Sequence, residues 1–211
     1  MPRQKKPFNP YPFQFHQELE LEISSITNLG DGVSKHTIKD QDGNDRQWVI
    51  FIPYVLLNER VRVRITKNES TCSHAEIVNV LDASPHRRQP KCRYYGSCGG
   101  CQYQHVTYQQ QLLWKQQQVA ELLERLAHIT HPVNPTIASP KEWNYRSKIT
   151  PHFQKPHKGK IGDIGFQKKG TSKALIDIDE CLIALESING VFPAARDSVC
   201  LLYTSPSPRD A

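Results

Sequence analysis

Residues 16–83 alternate between apolar and charged side chains in the manner of β-strands. Apolar residues alternate with glutamate around positions 19–23 and with arginine around positions 60–65. A period of two residues places each kind of side chain on its own face of a strand. Asp42-Gly43 is a hairpin signal between two such runs. About five short strands favour a small OB-like barrel, whose arginine face either contacts an oligonucleotide or is simply solvated.

A helical pattern occupies the middle of the chain. Apolar residues recur at helical spacing between positions 112 and 126, which predicts a helix from about Tyr108 to His128 whose apolar stripe packs in a core. Thr107 and Gln110 predict a capping box at its start, with Thr107 as the N-cap residue.

Short strands and glycine-marked turns return between residues 137 and 179. The expected fold class is therefore α+β. An N-terminal OB-like β-barrel is followed by a mixed central domain that contains one long helix and several β-hairpins.

Four segments make up the expected domain organisation. Residues 1–15 are predicted to be a flexible basic arm, because their prolines prevent a helix. Residues 16–83 form the barrel, and residues 84–199 form the central domain. Residues 200–211 can be read back into codons that resemble a transposase adaptor, so this tail is expected to be non-native. Genomic amplification across the codon for Val199 that showed the same tail would refute this expectation.

The composition of the chain limits which partners and which cellular compartment can be expected. The chain has 211 residues and a formal net charge of +6, which permits a polyanionic partner such as RNA without proving one. No apolar run approaches the roughly 20 residues of a membrane span, and no signal peptide is apparent. A cytoplasmic, reducing environment is expected, in which clustered cysteines favour a metal site over disulfides.

Three cysteines fall on one short loop. Cys92, Cys98 and Cys101 have the spacing Cys-x5-Cys-x2-Cys, with two glycines in the shorter gap. Three thiolates on a loop need a fourth ligand from elsewhere, and Cys181 at the end of a β run is the natural candidate. Iron–sulfur clusters are held in this way, with backbone N–H groups directed at the sulfurs. Zinc also accepts four thiolates, although its usual arrangement is two short cysteine pairs.

Basic residues surround this loop. No Asp or Glu occurs between positions 83 and 120, and the cations there can offset an anionic cluster or contact phosphate groups. Cys72 stands apart and is expected to be an ordinary surface or edge cysteine and not a ligand. The residues expected to contact RNA are Arg62, Arg64, Arg87, Arg88, Lys91, Arg93, Arg146 and Lys148.

The cysteine motif carries a family resemblance. The run Cys92-x5-Cys98-Gly-Gly-Cys101-Gln102, together with the segment ending in Cys181, resembles the iron–sulfur branch of the RNA uracil-5-methyltransferases, which contains the 23S rRNA 5-methyluridine enzymes. The resemblance implies that the barrel is a TRAM domain that binds RNA. It also implies that Cys92, Cys98, Cys101 and Cys181 hold a 4Fe-4S cluster.

The resemblance implies a methyl-transfer reaction for which this chain lacks part of the required residues. Members of the family transfer a methyl group from S-adenosylmethionine to carbon five of a uridine, after a cysteine thiolate has added to carbon six; a carboxylate base then removes the proton from carbon five. The Rossmann-like domain that binds the methyl donor and carries both catalytic residues has no counterpart, since no glycine-rich strand-to-helix loop appears.

The sequence therefore predicts an N-terminal part of a 23S rRNA (uracil-5-)-methyltransferase. This part is expected to be a monomer that binds RNA and a cluster but lacks methyl-transfer activity, because it has no catalytic or S-adenosylmethionine-binding residues. The alternative is a stand-alone RNA-binding module that holds zinc with the same four cysteines.

Overall fold

Strands outnumber helices in the computed structural model, which describes residues 7–40, 42–154, 161–171 and 173–204. The predicted α+β class is confirmed. The elements are β1 (Glu18–Glu22), β2 (Ser25–Ile26), β3 (Gly32–Lys39), β4 (Asp45–Ile52), β5 (Arg60–Asn68), β6 (Cys72–Asp82), α1 (Tyr108–Ala127), β7 (His152–Phe153), β8 (Ile164–Gln167), β9 (Leu175–Asp177) and α2 (Glu186–Thr204).

Two compact units divide the chain. The first unit consists of Met1–Gln89 and His105–Thr136, and the second consists of Pro90–Gln104 and Ile137–Ala211. This division differs from the predicted boundary near residue 84, because α1 belongs to the first unit. The sequence could not show this, because a helical pattern is local and does not indicate to which unit the helix belongs.

A six-stranded sheet forms the first unit, with the strand order β1-β5-β6-β4-β3-β2. Its pairings are antiparallel except for β4 with β6, which run parallel. The predicted alternation is confirmed on β5, where Val61, Val63 and Ile65 are fully buried and the intervening arginines are not. These side chains and the buried Trp48 of β4 form the core of the unit.

The sheet of the first unit remains open. Within the described residues β1 pairs only with β5, and β2 pairs only with β3. A closed barrel is therefore not found. The edge strand β2 has only two residues, which is too short to provide the ladder of hydrogen bonds that would close the sheet.

Residues 7–15 pack against this sheet, so the predicted flexible arm is wrong for that part, and residues 1–6 lie outside the described residues. Phe13 is buried in the core, and the ring of Tyr11 meets Trp48 edge-on at 5.9 Å. The side-chain amide of Asn68 donates to the carbonyls of Asn9 and Phe13, at 2.8 and 2.6 Å. The prolines exclude a helix but leave the aromatic side chains free to be buried.

Helix α1 has the predicted extent, since it begins after Thr107 and ends at His128, whose φ of 54° is left-handed. The predicted capping box is wrong. Thr107 occupies the N-cap position without a side-chain cap, and Gln111 donates its side-chain amide to the carbonyl of Val106 at 2.9 Å.

The apolar stripe of α1 is not a buried core stripe, which corrects the prediction. Trp114 is the buried residue of the helix, whereas Val119, Leu122 and Leu126 are exposed by 48, 42 and 76%. Helical spacing identifies an apolar face but does not determine how much of that face is covered.

A three-stranded antiparallel sheet and α2 form the described core of the second unit. The strand order is β7-β8-β9. The sequence reasoning missed α2, part of which falls in the tail expected to be non-native; residues 205–211 lie outside the described part. Arg196 on α2 donates to the carbonyl of Ile164 and to both carboxylate oxygens of Asp177, which fastens the helix to the sheet. Neither described helix combines the length and apolar character required to cross a membrane.

Candidate metal centre

All four predicted ligands line one cavity of the second unit, with a volume of about 860 Å³. We call it the four-cysteine cavity, after Cys92, Cys98, Cys101 and Cys181. The loop 92–101 supplies three thiols, and the segment that follows β9 supplies the fourth from 80 residues further along the chain. None of the six cysteines, which all lie in the part of the chain that the structure describes, forms a disulfide.

Backbone contacts shape the loop. Gly96 has a φ of 85°, a conformation that favours glycine because other residues would place a Cβ in a steric clash. The N–H of Gly99 donates to the carbonyl of Gln167 at 3.0 Å. A Cβ atom at Gly99 would lie only 3.2 Å from that carbonyl oxygen, so glycine lets the loop approach the end of β8 closely.

Backbone N–H groups point at two of the sulfurs. The N–H of Gly100 donates to Sγ of Cys98 at 3.4 Å, which is the kind of contact that the glycine pair predicts. Burial raises the pKa of the Cys92 thiol, and hydrogen bonds from the backbone of Tyr94 and Tyr95 offset part of that rise. Such donors stabilise sulfur in its anionic, metal-binding form.

The thiols influence one another electrostatically. Burial is the largest cause that raises the pKa of Cys92 and of Cys101, and the neighbouring Cys98 and Cys181 raise it further in both cases. Several thiolates in one cavity repel one another unless a cation lies between them. A metal ion supplies that charge, and a coordinating thiol is deprotonated.

Gln104 is a positioning residue that the sequence reasoning missed. Its side chain is 7% exposed, and its amide oxygen accepts the N–H of Cys92 at 3.2 Å. The same side chain hydrogen-bonds Cys101, which offsets part of the rise that burial causes in the pKa of that thiol. Gln104 therefore holds the first and the last cysteine of the loop together. The only signal in the sequence was a polar residue three positions after Cys101.

Side chains also fix the segment that carries Cys181. The amide oxygen of Asn189 accepts the N–H of Cys181 at 2.9 Å, and its amide nitrogen donates to the Cys181 carbonyl at 3.1 Å. Arg93 and Tyr94 both hydrogen-bond the carboxylate of Asp179. The Arg93 hydrogen bond is the main cause that holds the pKa of Asp179 at about 2. The three-cysteine loop is thereby tied to the strand end that brings the fourth cysteine.

Cations dominate the charged lining of the four-cysteine cavity. Four basic residues line it, whereas Glu180 is the acidic residue among its lining side chains. Two of the cations, Arg146 and Lys148, were predicted to contact RNA, and the other two were not. The four basic residues are Arg146, Lys148, Lys168 and Lys169, and all are exposed.

The arginine face of β5 is paired with carboxylates. Arg62 lies 2.8 Å from Glu20, and Arg64 lies 3.4 Å from Glu18 and 3.5 Å from Glu76. These pairs follow from the register of β1 with β5, which places Glu20 opposite Arg62 and Glu18 opposite Arg64. The face is therefore less cationic than the sequence of β5 alone indicates. RNA contact by Arg62 and Arg64 stays a prediction.

The remaining predicted RNA-binding residues have contacts within their own units. Arg87 forms an ion pair with the fully buried carboxylate of Glu59. The N–H of Arg88 donates to the carbonyl of His105 at 2.9 Å, and the ammonium of Lys91 lies 5.5 Å from the ring centre of Trp143. Their contact with RNA, like that of Arg93, stays a prediction.

No family model matches the chain, but curated relatives do. It is 35% identical over 196 residues to the tRNA (uracil(54)-C(5))-methyltransferase of Schizosaccharomyces pombe, a match that covers 89% of this chain and 36% of the relative. It is 32% identical to the 23S rRNA (uracil(1939)-C(5))-methyltransferase RlmD of Shewanella amazonensis, covering 79% and 35%. It is 36% identical to an uncharacterized RNA methyltransferase of Aquifex aeolicus, covering 85% and 39%.

A solved structure shows a similar fold. The tRNA (uracil-54, C5)-methyltransferase of Pyrococcus abyssi, in complex with S-adenosyl-L-homocysteine, matches with a TM-score of 0.53 and 22% identity, and covers 84% of this chain and 36% of that one. The chain spans just over a third of the length of these proteins. The resemblance to RNA uracil-C5-methyltransferases that the cysteine motif indicated is confirmed by these relatives.

Proposed function

We propose that the chain is the RNA-binding, iron–sulfur part of an S-adenosylmethionine-dependent RNA (uracil-C5)-methyltransferase, and that Cys92, Cys98, Cys101 and Cys181 bind a 4Fe-4S cluster. The observation that carries the proposal is the single cavity shared by these four cysteines, in a chain similar to tRNA and 23S rRNA uracil-C5-methyltransferases.

The size of the cavity favours a cluster over a single zinc ion. Four thiolates around one tetrahedral zinc would lie about 3.8 Å apart, given a Zn–S distance of about 2.3 Å. Among the described residues, no three of the four cysteines have sulfur atoms that all lie within 4.8 Å of one another. The wider spacing and the volume of about 860 Å³ suit a larger inorganic core with one iron at each thiolate.

The role of this part is to bind and position RNA. The exposed cations at the four-cysteine cavity offset the charge of an anionic cluster and give the cavity rim a positive field that attracts phosphate groups. The six-stranded sheet of the first unit is proposed to be a TRAM domain. The proposed substrate is 23S rRNA, because the cysteine motif resembles the iron–sulfur branch, and tRNA is the alternative that the S. pombe relative suggests.

Methyl transfer requires residues outside the chain. In an enzyme of the family S-adenosylmethionine supplies the methyl group, and the thiolate and carboxylate that act on the uracil ring are expected in the part of the relatives that this chain does not match. The chain is proposed to act as a monomer that binds RNA and does not methylate it alone. Methylation of RNA by the purified chain with S-adenosylmethionine would contradict this.

Anaerobic purification tests the cluster directly. We expect a brown protein with iron and acid-labile sulfide, and a Cys101→Ser variant with much lower iron content, because serine is a poor ligand for iron in such clusters. Cys72→Ser is the matched control, since Cys72 belongs to the first unit, and it should retain iron. A colourless protein with stoichiometric zinc in the four-cysteine cavity would support the zinc-binding RNA module instead. Unchanged iron in Cys101→Ser would overturn the assignment.

A further inference from the structure

A second group of metal-binding side chains lies in the first unit, at the turn that joins β5 to β6. Glu69 is in the turn, and its N–H donates to the carbonyl of Cys72 at 2.8 Å, which closes the hairpin. Cys72 and His74 stand two positions apart on β6, so their side chains project from the same face of the strand. Cys72 is therefore not the isolated surface cysteine that the sequence predicted.

The three ligand atoms converge. The Sγ atom of Cys72 lies 3.9 Å from Oε2 of Glu69, and Nε2 of His74 lies 3.5 Å from Oε1 of Glu69. The ligand atoms of all three residues lie within 4.8 Å of one another. Bond lengths of about 2.0–2.3 Å in a tetrahedral zinc site place ligand atoms about 3.4–3.6 Å apart, so only small side-chain movements are needed.

The donor set is chemically specific. One thiol, one imidazole and one carboxylate are all ligand types of Zn²⁺, whereas hard ions such as Mg²⁺ and Ca²⁺ prefer oxygen alone. Partial exposure of Glu69 and His74, at 41 and 42% of their side chains, leaves room for an ion to enter. The ring of Phe51 stacks on His74 at 5.6 Å, which restricts the imidazole to one orientation.

We propose that Glu69, Cys72 and His74 bind one Zn²⁺ ion, with the fourth coordination position open to water. The site is independent of the four-cysteine cavity, because it uses none of the same residues. It joins the turn to strand β6, so the bound ion stabilises the tip of the β5–β6 hairpin. Thiolate formation at Cys72 releases a proton when the metal binds.

Lys67 competes with a metal ion for the carboxylate of Glu69. Its ammonium contacts Oε1 of Glu69, the same oxygen that faces His74. The Lys67 side chain is 63% exposed, so it can turn into solvent when a metal ion takes its place. Removal of this competing cation should tighten zinc binding only severalfold, because an exposed ion pair is weak. Lys67→Met should therefore increase the affinity for zinc. A substitution that only disrupts the local structure would decrease it.

Cobalt substitution tests the site with a spectroscopic signature. We expect Co²⁺ titration of the full chain to give a thiolate-to-cobalt charge-transfer band, and Cys72→Ser to lose part of that band and one equivalent of bound metal per chain. His74→Gln should bind the metal more weakly, and Lys67→Met more tightly in competition with Zn²⁺. Cys200→Ser removes another half-buried thiol and is the matched control, expected to behave like the unaltered chain.

Iron and sulfide are measured in the same samples, so that failure of this proposal is distinguished from failure of the cluster proposal. Far-UV circular dichroism confirms that each variant is folded. If Cys72→Ser does not fold, His74→Gln and Lys67→Met test the proposal instead. Both replace partly exposed side chains, so these variants are expected to fold. Identical cobalt spectra and metal stoichiometry in the unaltered chain and in the folded Glu69, Cys72 or His74 variants would overturn the proposal.

Discussion

Replacement of Arg87 by methionine should destabilise the first unit by about 3–5 kcal/mol, the usual cost of removing one partner from a buried ion pair. The carboxylate of Glu59 is fully buried and Arg87 is 22% exposed. Arg87 donates to the two oxygens of Glu59 through Nε and Nη2, at 2.6 Å each. Its Nη2 also donates to the carbonyl of Tyr54 at 2.9 Å. This side chain thus joins the loop after β4 to the segment after β6.

The size of the expected destabilisation depends on the interactions that Glu59 retains when the guanidinium of Arg87 is removed. Glu59 would still accept the N–H groups of Leu56 and Ser84, at 2.8 and 3.1 Å, but its negative charge would be buried without a counter-ion. Methionine replaces much of the aliphatic volume, so most of the loss is electrostatic. The double variant Glu59→Gln with Arg87→Met removes the charge as well and should recover a large part of the stability.

Urea unfolding monitored by circular dichroism measures these differences. Arg60→Met is the matched control, because Arg60 pairs with Asp82 at an exposed position where an ion pair contributes only about 0–1 kcal/mol. Burial raises the pKa of Glu59, but the hydrogen bonds from Arg87, Leu56 and Ser84 outweigh it, and the net pKa is lowered from 4.5. The ion pair therefore stabilises the fold above pH 4.5 and ceases to do so as pH falls through the lower, folded-state pKa.

Two results would refute the reasoning about Arg87. One is a destabilisation of less than 1 kcal/mol in Arg87→Met, roughly that of an exposed ion pair. The other is a double variant as unstable as the single one, which would show that the buried charge is not the cause. If the variant is stable but binds RNA weakly with a reduced salt dependence, Arg87 contacts phosphate, as the sequence predicts.

Two further predictions concern the four-cysteine cavity. Gln104→Leu keeps the approximate size of the buried side chain but removes its hydrogen bonds with Cys92 and Cys101. The proposed cluster should then be lost to air or chelator several-fold faster, measured by the decay of its visible absorption. An unchanged decay rate would contradict the positioning role of Gln104. Arg146→Ala with Lys148→Ala should reduce the slope of log affinity against log salt by about 0.7–0.9 for each phosphate group that the variant no longer neutralises, measured with 23S rRNA fragments. An unchanged slope would assign these cations to the cluster alone.

The structure brings the four predicted cysteines to one cavity, whereas the sequence did not indicate the residues that support them. Ligands of a metal are limited to a few residue types at restricted spacing, so Cys92, Cys98 and Cys101 stand out, and Cys181 follows as the cysteine at the end of a β run. Gln104 and Asn189 act through backbone groups and one thiol, and any polar residue of similar length would look the same in a sequence. Their roles appear only when the cavity is formed.

Long-range pairing explains the errors in the first unit. The arginines of β5 occupy alternate positions, so they suggest a cationic surface. Glu18 and Glu20, which pair with them, lie more than forty residues away in the sequence. The predicted burial of the apolar stripe of α1 was wrong for the same reason. The helical period is a local property of the sequence, whereas the surface that would cover the stripe comes from distant parts of the chain. Local patterns therefore predicted strands and helix ends, whereas burial and charge balance required the register.

The separation between Cys101 and Cys181 has a consequence for how the site forms. Closing a loop of 80 residues costs conformational entropy that increases only slowly with length. Contacts between protein groups that span the same loop offset part of this free-energy cost. Asp179 binds Arg93 and Tyr94, while Asn189 fixes the backbone of Cys181. These contacts hold the segment of Cys181 at the cavity, so the proposed cluster would add to the stability of a second unit that they already join.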